Sequence, residues 1–228
     1  MTSSDCRTGA RVASLPRRAL FYEVGIWRSL YRWIFRRPPT REPDAEAFGY
    51  ASLMTPILVA FIAVSALEIP VVDFFLPWEA VRRPFLALGA WGLIWMIGLL
   101  ASLRVHPHLV AASGLRVRYG FNVDIMLPWV AIAEIRAQRR SLPSGRTVQL
   151  ERTGPAATLH IAISSATNVE VVLREPTTVR LPKGVSETIT ALHFYTDDPR
   201  ALVARAREHL PDRPRSIVED RTARARPS

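Results

Sequence analysis

From Pro84 to Leu103 the chain reads PFLALGAWGLIWMIGLLASL, twenty positions without an ionisable side chain, bounded by Arg82, Arg83 and Arg104. A helix of that length rises about 30 Å, the thickness of a bilayer's hydrocarbon core. A second apolar run covers about 51–72, with Pro56 in its first turns, where a missing N–H matters least. The link between the runs is too short for a domain, and its Trp78 suits a membrane–water boundary. The pattern therefore predicts a transmembrane helical hairpin over 51–104. Gly89, Gly92, Gly98 and Ser102 are small enough to let its helices approach closely. Glu68, near the far end of the first run, is the candidate intramembrane polar residue. A carboxylate costs about 2.5–3.5 kcal/mol at the bilayer centre and less toward the interface, so the hydrocarbon is expected to end near it.

Upstream, residues 1–14 are small and polar with no apolar stretch of the signal-peptide kind, and a disordered leader is expected there. Over 15–41 the period is helical. Leu20, Val24, Trp27, Tyr31 and Ile34 share one face, while Arg28, Arg32 and Arg36 recur on another. Such a basic amphipathic helix suits the headgroup boundary, its rings in the acyl edge and its guanidinium groups toward phosphate. Pro38-Pro39 should end it, leaving a polar bridge to residue 50.

After Arg104 the period changes to two. In LRVRYG, Leu115, Val117 and Tyr119 lie on one face, Arg116 and Arg118 on the other; in VDIMLPW, Ile125 and Leu127 oppose Asp124 and Met126. Further strands are expected near 131–138, 147–152, 158–163, 168–173 and 188–196, with an irregular connection from Pro176 to Gly184 before the last. Asp197 or Asp198 can cap a final helix with Pro199 at its first position and Leu202, Val203, Ala206 and Leu210 on its apolar stripe. The domain predicted over 105–210 is a small barrel of about seven strands closed by a helix. Residues 211–228, rich in Pro and Arg, should be disordered.

Composition changes this picture only in its charge. The 228 residues carry a formal net charge of +10, almost wholly from arginine, since Lys183 is the only lysine. Arg28, Arg32, Arg36, Arg37 and Arg41 precede the first run and Arg104, Arg116 and Arg118 follow the second, against Arg82 and Arg83 between them. The positive-inside rule then places both termini in the cytoplasm, making this a multi-pass protein of the cytoplasmic membrane. The one cysteine, Cys6, excludes a disulfide framework or a cysteine-based metal site within the chain.

At GLRVRYG, IMLPWVAIAEI, NVEVVLREP and the terminal DDPRALVARAREHL, the chain resembles a bacterial pleckstrin-homology-like (PH-like) domain. The resemblance extends to actinobacterial membrane proteins that set paired transmembrane helices directly before such a domain. It covers about residues 50–210 and rests on core and turn positions: Leu115, Val117, Pro128, Trp129 and Ile132. It implies a barrel ended by a helix, and no agreed activity comes with it. Eukaryotic relatives bind phosphoinositides, but the basic strand–loop–strand signature of that ligand is not seen here, so the fold transfers and the function does not.

The candidate membrane-surface contacts are Arg28, Arg32, Arg36, Arg37, Arg116, Arg118, Arg136, Arg139 and Arg140. Each basic group near an anionic leaflet contributes about 1 kcal/mol, and the strand and helix sets are expected to combine into one cationic surface. His106 and His108 flank a proline with no third ligand nearby, and His160, His193 and His209 are scattered, so neither metal nor cofactor is expected. No nucleophile elbow, phosphate-binding glycine loop or HExxH motif occurs, and no aromatic–basic sheet face suggests nucleic acid. The expected function is non-catalytic: a membrane-anchored binding or scaffold protein whose cytoplasmic domain engages a protein partner or lipid headgroups. The alternatives are an accessory subunit of an envelope transport or secretion assembly and, less favoured, a lipid-acting enzyme.

Overall fold

Both apolar runs are helical, and both helices are long and apolar enough to cross a membrane. The structure, a computed structural model, describes residues 14–35, 44–153, 156–181 and 186–211. Arg36, Arg37, Cys6, Lys183 and nearly all of the expected leader and tail lie outside the described residues. Helix α1 spans Ser14–Ile34, α2 Thr55–Phe75 and α3 Glu79–Val105. No residue of α2 is buried, which a helix at the core of a soluble domain would not show. α3 starts earlier than the apolar run because Glu79, Arg82 and Arg83 form its first turns. Glu79 sits at the positive end of the helix dipole and pairs with Arg83 at 2.9 Å, while Arg82 reaches back to Asp73 at 3.5 Å.

α1 does not dock through its aromatic stripe. Among its described side chains Ile26 and Ser29 are buried, whereas Val24, Trp27, Tyr31 and Ile34 stay exposed. The reason is Gly98 on α3: a β-carbon there would stand 2.4 Å from Ile26 Cγ2, so its absence lets α1 lie directly on the helix. Trp27 meets Trp91 edge-on at 5.6 Å beside this contact. Of the other small residues, Gly89 faces Ile69 of α2, while Gly92 has open space around it. Gly98→Leu should therefore push α1 off α3 at a cost of about 1–3 kcal/mol. Hydrogen exchange of the full-length protein in detergent should show faster exchange in α1, and unchanged protection would disprove the docking.

The remaining elements are β1 Glu46–Phe48, β2 His108–Ala111, β3 Gly114–Tyr119, β4 Val123–Leu127, a 3-10 turn at Trp129–Ala131, β5 Ile132–Ser141, β6 Val148–Thr153, β7 Ala156–Ile161, β8 Ala166–Arg180, β9 Ser186–Phe194 and α4 Pro199–His209. They make two sheets, ordered β1-β2-β3-β4 and β5-β8-β9-β7-β6, antiparallel except for the β7–β9 pair. This corrects the expected closed barrel of about seven strands: nine strands lie in two sheets among the described residues. The polar bridge supplies one of them, since Ala47 pairs with Leu109 and Phe48 with His108 across the whole apolar hairpin. Pro176 does not end β8. It falls in the register shift between Val172 and Thr177, where the ladder requires no N–H.

Leu115, Val117, Ile132, Leu159, Val171 and Phe194 are fully buried between the sheets. α4 closes them with Leu202, Val203 and Ala206, its Asp198 cap accepting the Ala201 N–H at 3.0 Å as expected. The hairpin root is fixed to this body. Asp197 accepts from the Ser52 N–H (3.2 Å) and hydroxyl (2.5 Å), and its own N–H donates to Gly49 O at 2.8 Å. Tyr50 is buried, its ring lies tilted against His108 at 4.8 Å, and its hydroxyl accepts the Gly120 N–H at 2.6 Å.

Candidate functional site

Strand alternation puts Arg116 and Arg118 on the polar face of β3, opposite Asp124 on β4. Arg116 Nε and Nη2 donate to the two oxygens of Asp124, both at 2.6 Å, a bidentate pair that commits the carboxylate. Arg118 Nε stands 3.5 Å from the same carboxylate, too far for a good hydrogen bond. On an open sheet this face would be solvated; here α1 covers it, and Arg118 is only 4% exposed. Its Nε and Nη1 are buried without a hydrogen-bond partner among the described residues. Between them, Arg28, Ser29 and Arg32 of α1, His106 at the end of α3, and Arg118 and Asp124 enclose a cavity of about 310 Å³.

The electrostatics of this cavity are one-sided. Neither Arg28 nor Arg32 has a carboxylate within ion-pair distance among the described residues. Burial presses against the charged form of Arg118, partly offset by Asp124, yet a guanidinium stays protonated throughout the physiological range. Burial works to raise the Asp124 pKa, but Arg116 and Arg118 outweigh it and hold the carboxyl below its ordinary range. His106 is pushed below its usual value by burial, with Arg118 and Arg32 acting in the same sense. Its Nδ1–H donates to Ser102 O at 3.0 Å, which leaves Nε2 as an acceptor on the neutral ring. Gly120, also on the wall, needs its glycine: φ is +52°, and a β-carbon would sit 2.9 Å from Ser102 Oγ.

A second polar cluster crosses the five-stranded sheet. Arg136, Glu170, His193 and His160 stand in register on β5, β8, β9 and β7. Arg136 Nε bonds Glu170 at 2.5 Å, His193 Nε2 lies 3.4 Å from Glu170, and His160 Nε2 lies 3.0 Å from Glu151. The two imidazoles are 4.8 Å apart and buried; burial lowers the pKa of each, so they stand neutral. Glu170 is held below its usual value chiefly by the Arg136 hydrogen bond. Among the described residues no group of three or more His, Cys, Asp or Glu could hold a metal ion.

The structure thus divides the arginines that the charge pattern grouped together. Arg28, Arg32 and Arg118 converge on the cavity, and Arg116 neutralises its one carboxylate. Arg136 and Arg140 are tied to Glu170 and Glu151 on the other sheet, and Arg139 is exposed on β5. The cavity's lining includes none of these three. Glu68 is exposed on α2, with no ion pair or hydrogen bond among the described residues. His106 and Asp124 were not anticipated as site residues; the only local signal was an arginine and an aspartate on the same face of one hairpin. No family model, no curated protein and no solved structure matches this chain, which leaves the cavity's chemistry to be judged from its own residues.

Proposed function

We propose that the chain is a membrane-anchored binding protein, in which α2 and α3 cross the cytoplasmic membrane and hold a PH-like β domain against the inner surface. The domain engages lipid headgroups or a protein partner there, as a scaffold rather than a catalyst. One observation carries this reading: the apolar hairpin is inserted between β1 and β2, neighbours in one sheet. A domain whose strands begin on both sides of a membrane hairpin, with Asp197 fastened to its root, has no linker on which to leave the surface. The helix α4 packed beside β5 and the buried Trp129, whose Nε1–H donates to Ala111 O at 2.9 Å, support the PH-like assignment. The arginine asymmetry across the hairpin supports the inside orientation.

Single-cysteine labelling tests this directly. In a Cys6→Ser background, a cysteine at Pro77, in the α2–α3 link, should react with a membrane-impermeant maleimide on intact cells. One at Ser144, in the β5–β6 link, should react only after permeabilisation. Reaction at Ser144 from outside, or recovery of the chain in an alkaline carbonate supernatant, would sink the reading.

A further inference from the structure

The cavity under α1 has the composition of an anion site. Arginine offers only donors, and Arg118 keeps two of its nitrogens buried without an acceptor. A buried guanidinium is costly to leave short of hydrogen-bond acceptors, and the carboxylate with which Arg118 forms its ion pair, Asp124 at 3.5 Å, already gives both of its oxygens to Arg116. Arg28 and Arg32 lie on the same wall with no carboxylate of their own among the described residues. A planar guanidinium fork matches the oxygens of a phosphate better than it matches any neutral group.

The surroundings select the kind of phosphate. The cavity lies where α3 gives way to the β domain, at His106. It is roofed by α1, whose Tyr31, Trp33 and Ile34 remain exposed, as does Phe35 just beyond it. Rings and branched side chains beside arginines are what the boundary between headgroups and acyl chains accommodates. A volume of about 310 Å³ is at the lower end for ligand sites, enough for a headgroup and too small for acyl chains, which would remain in the bilayer.

We infer that this cavity binds the phosphate of an anionic phospholipid from the leaflet facing the β domain, with Arg28, Arg32 and Arg118 as its donors. The inference rests on the membrane-anchored reading and names the ligand of that surface. Bound lipid would lock α1 to β3 and β4, fixing the domain's orientation on the membrane.

The test is native mass spectrometry of the full-length chain released from detergent. The probes are phosphatidylglycerol, phosphatidylcholine, inorganic phosphate and glycerol 3-phosphate, each added separately. The wild type should retain one phosphatidylglycerol in preference to phosphatidylcholine. Arg118→Gln should weaken that retention at least about tenfold, the loss of one charge-assisted pair. Because Arg118 is buried and its loss can disturb folding, the double variant Arg28→Gln/Arg32→Gln, at accessible positions, should show the same weakening with unchanged thermal unfolding. Arg139→Gln should change nothing. Equal retention by the double variant and the wild type would overturn the assignment, as would binding of inorganic phosphate or glycerol 3-phosphate without lipid. If these failures came with the labelling pattern intact, the anchored domain would stand and the cavity assignment alone would fall.

Discussion

Phe194→Ala should destabilise the β domain by about 3–5 kcal/mol, a large share of the stability of an ordinary domain. Phe194 is fully buried, paired with Val169 on one side and Ile161 on the other, so truncation opens a cavity that two sheets must close. Its ring also meets His108 edge-on at 4.9 Å, and His108 Nδ1 accepts the Arg118 N–H at 3.1 Å. The damage therefore reaches the base of the cavity. Phe194→Leu, which keeps most of the volume, should cost much less. Thermal unfolding of the purified chain in one detergent compares the three proteins; a Phe194→Ala variant within about 1 kcal/mol of wild type would show that Phe194 is not part of a shared core.

Acidification should produce the second large effect, through the buried histidines. His108 is enclosed between Tyr50 and Phe194, with Nε2–H donating to Tyr195 O at 2.9 Å. Burial lowers its pKa to about 4, Arg118 acts in the same sense, and the Tyr195 carbonyl and Asp197 oppose them only in part. In the unfolded chain a histidine titrates near 6.5, so the unfolded state takes up the proton first. The stability this group contributes is complete above about pH 6.5 and is lost as pH falls toward 4, about 3 kcal/mol in all. His106, His160 and His193 are shifted the same way and steepen the loss. Asp124 and Glu170, held below their ordinary range, act with the same sign but only at lower pH. Unfolding measured from pH 7 to 5 reads chiefly the histidines: stability should fall throughout, and a flat profile would mean that the fold takes up their protons as readily as the unfolded chain does.

Pattern alone located the apolar helices, the alternation of β3 and β4, and the capped last helix, because each follows from neighbours within a few residues. Ile125 against Asp124 is a period of two, and Asp198-Pro199 is a helix start, wherever the rest of the chain goes. β1 was hidden for the opposite reason. Glu46–Phe48 is too short to register as a strand, and its partner lies beyond the entire hairpin. The contact of α1 with α3 was not legible either: the pattern assigned Trp27 and Tyr31 to one face, and they stay exposed, but it gave no sign that Ile26 would pack where Gly98 admits it.

The same division runs through the site. The sequence by itself determined that arginines flank the pair of apolar runs on both sides, since counting charges requires no coordinates. It also determined that Arg116 and Arg118 share a strand face, because that follows from the pleat. Only the tertiary structure decided that these two arginines differ. Arg116 finds Asp124 across the hairpin, while Arg118 lies beneath a helix almost a hundred positions upstream, which removes water and supplies no counter-charge. Burial and pairing are properties of which surfaces meet, and that is settled by long-range packing.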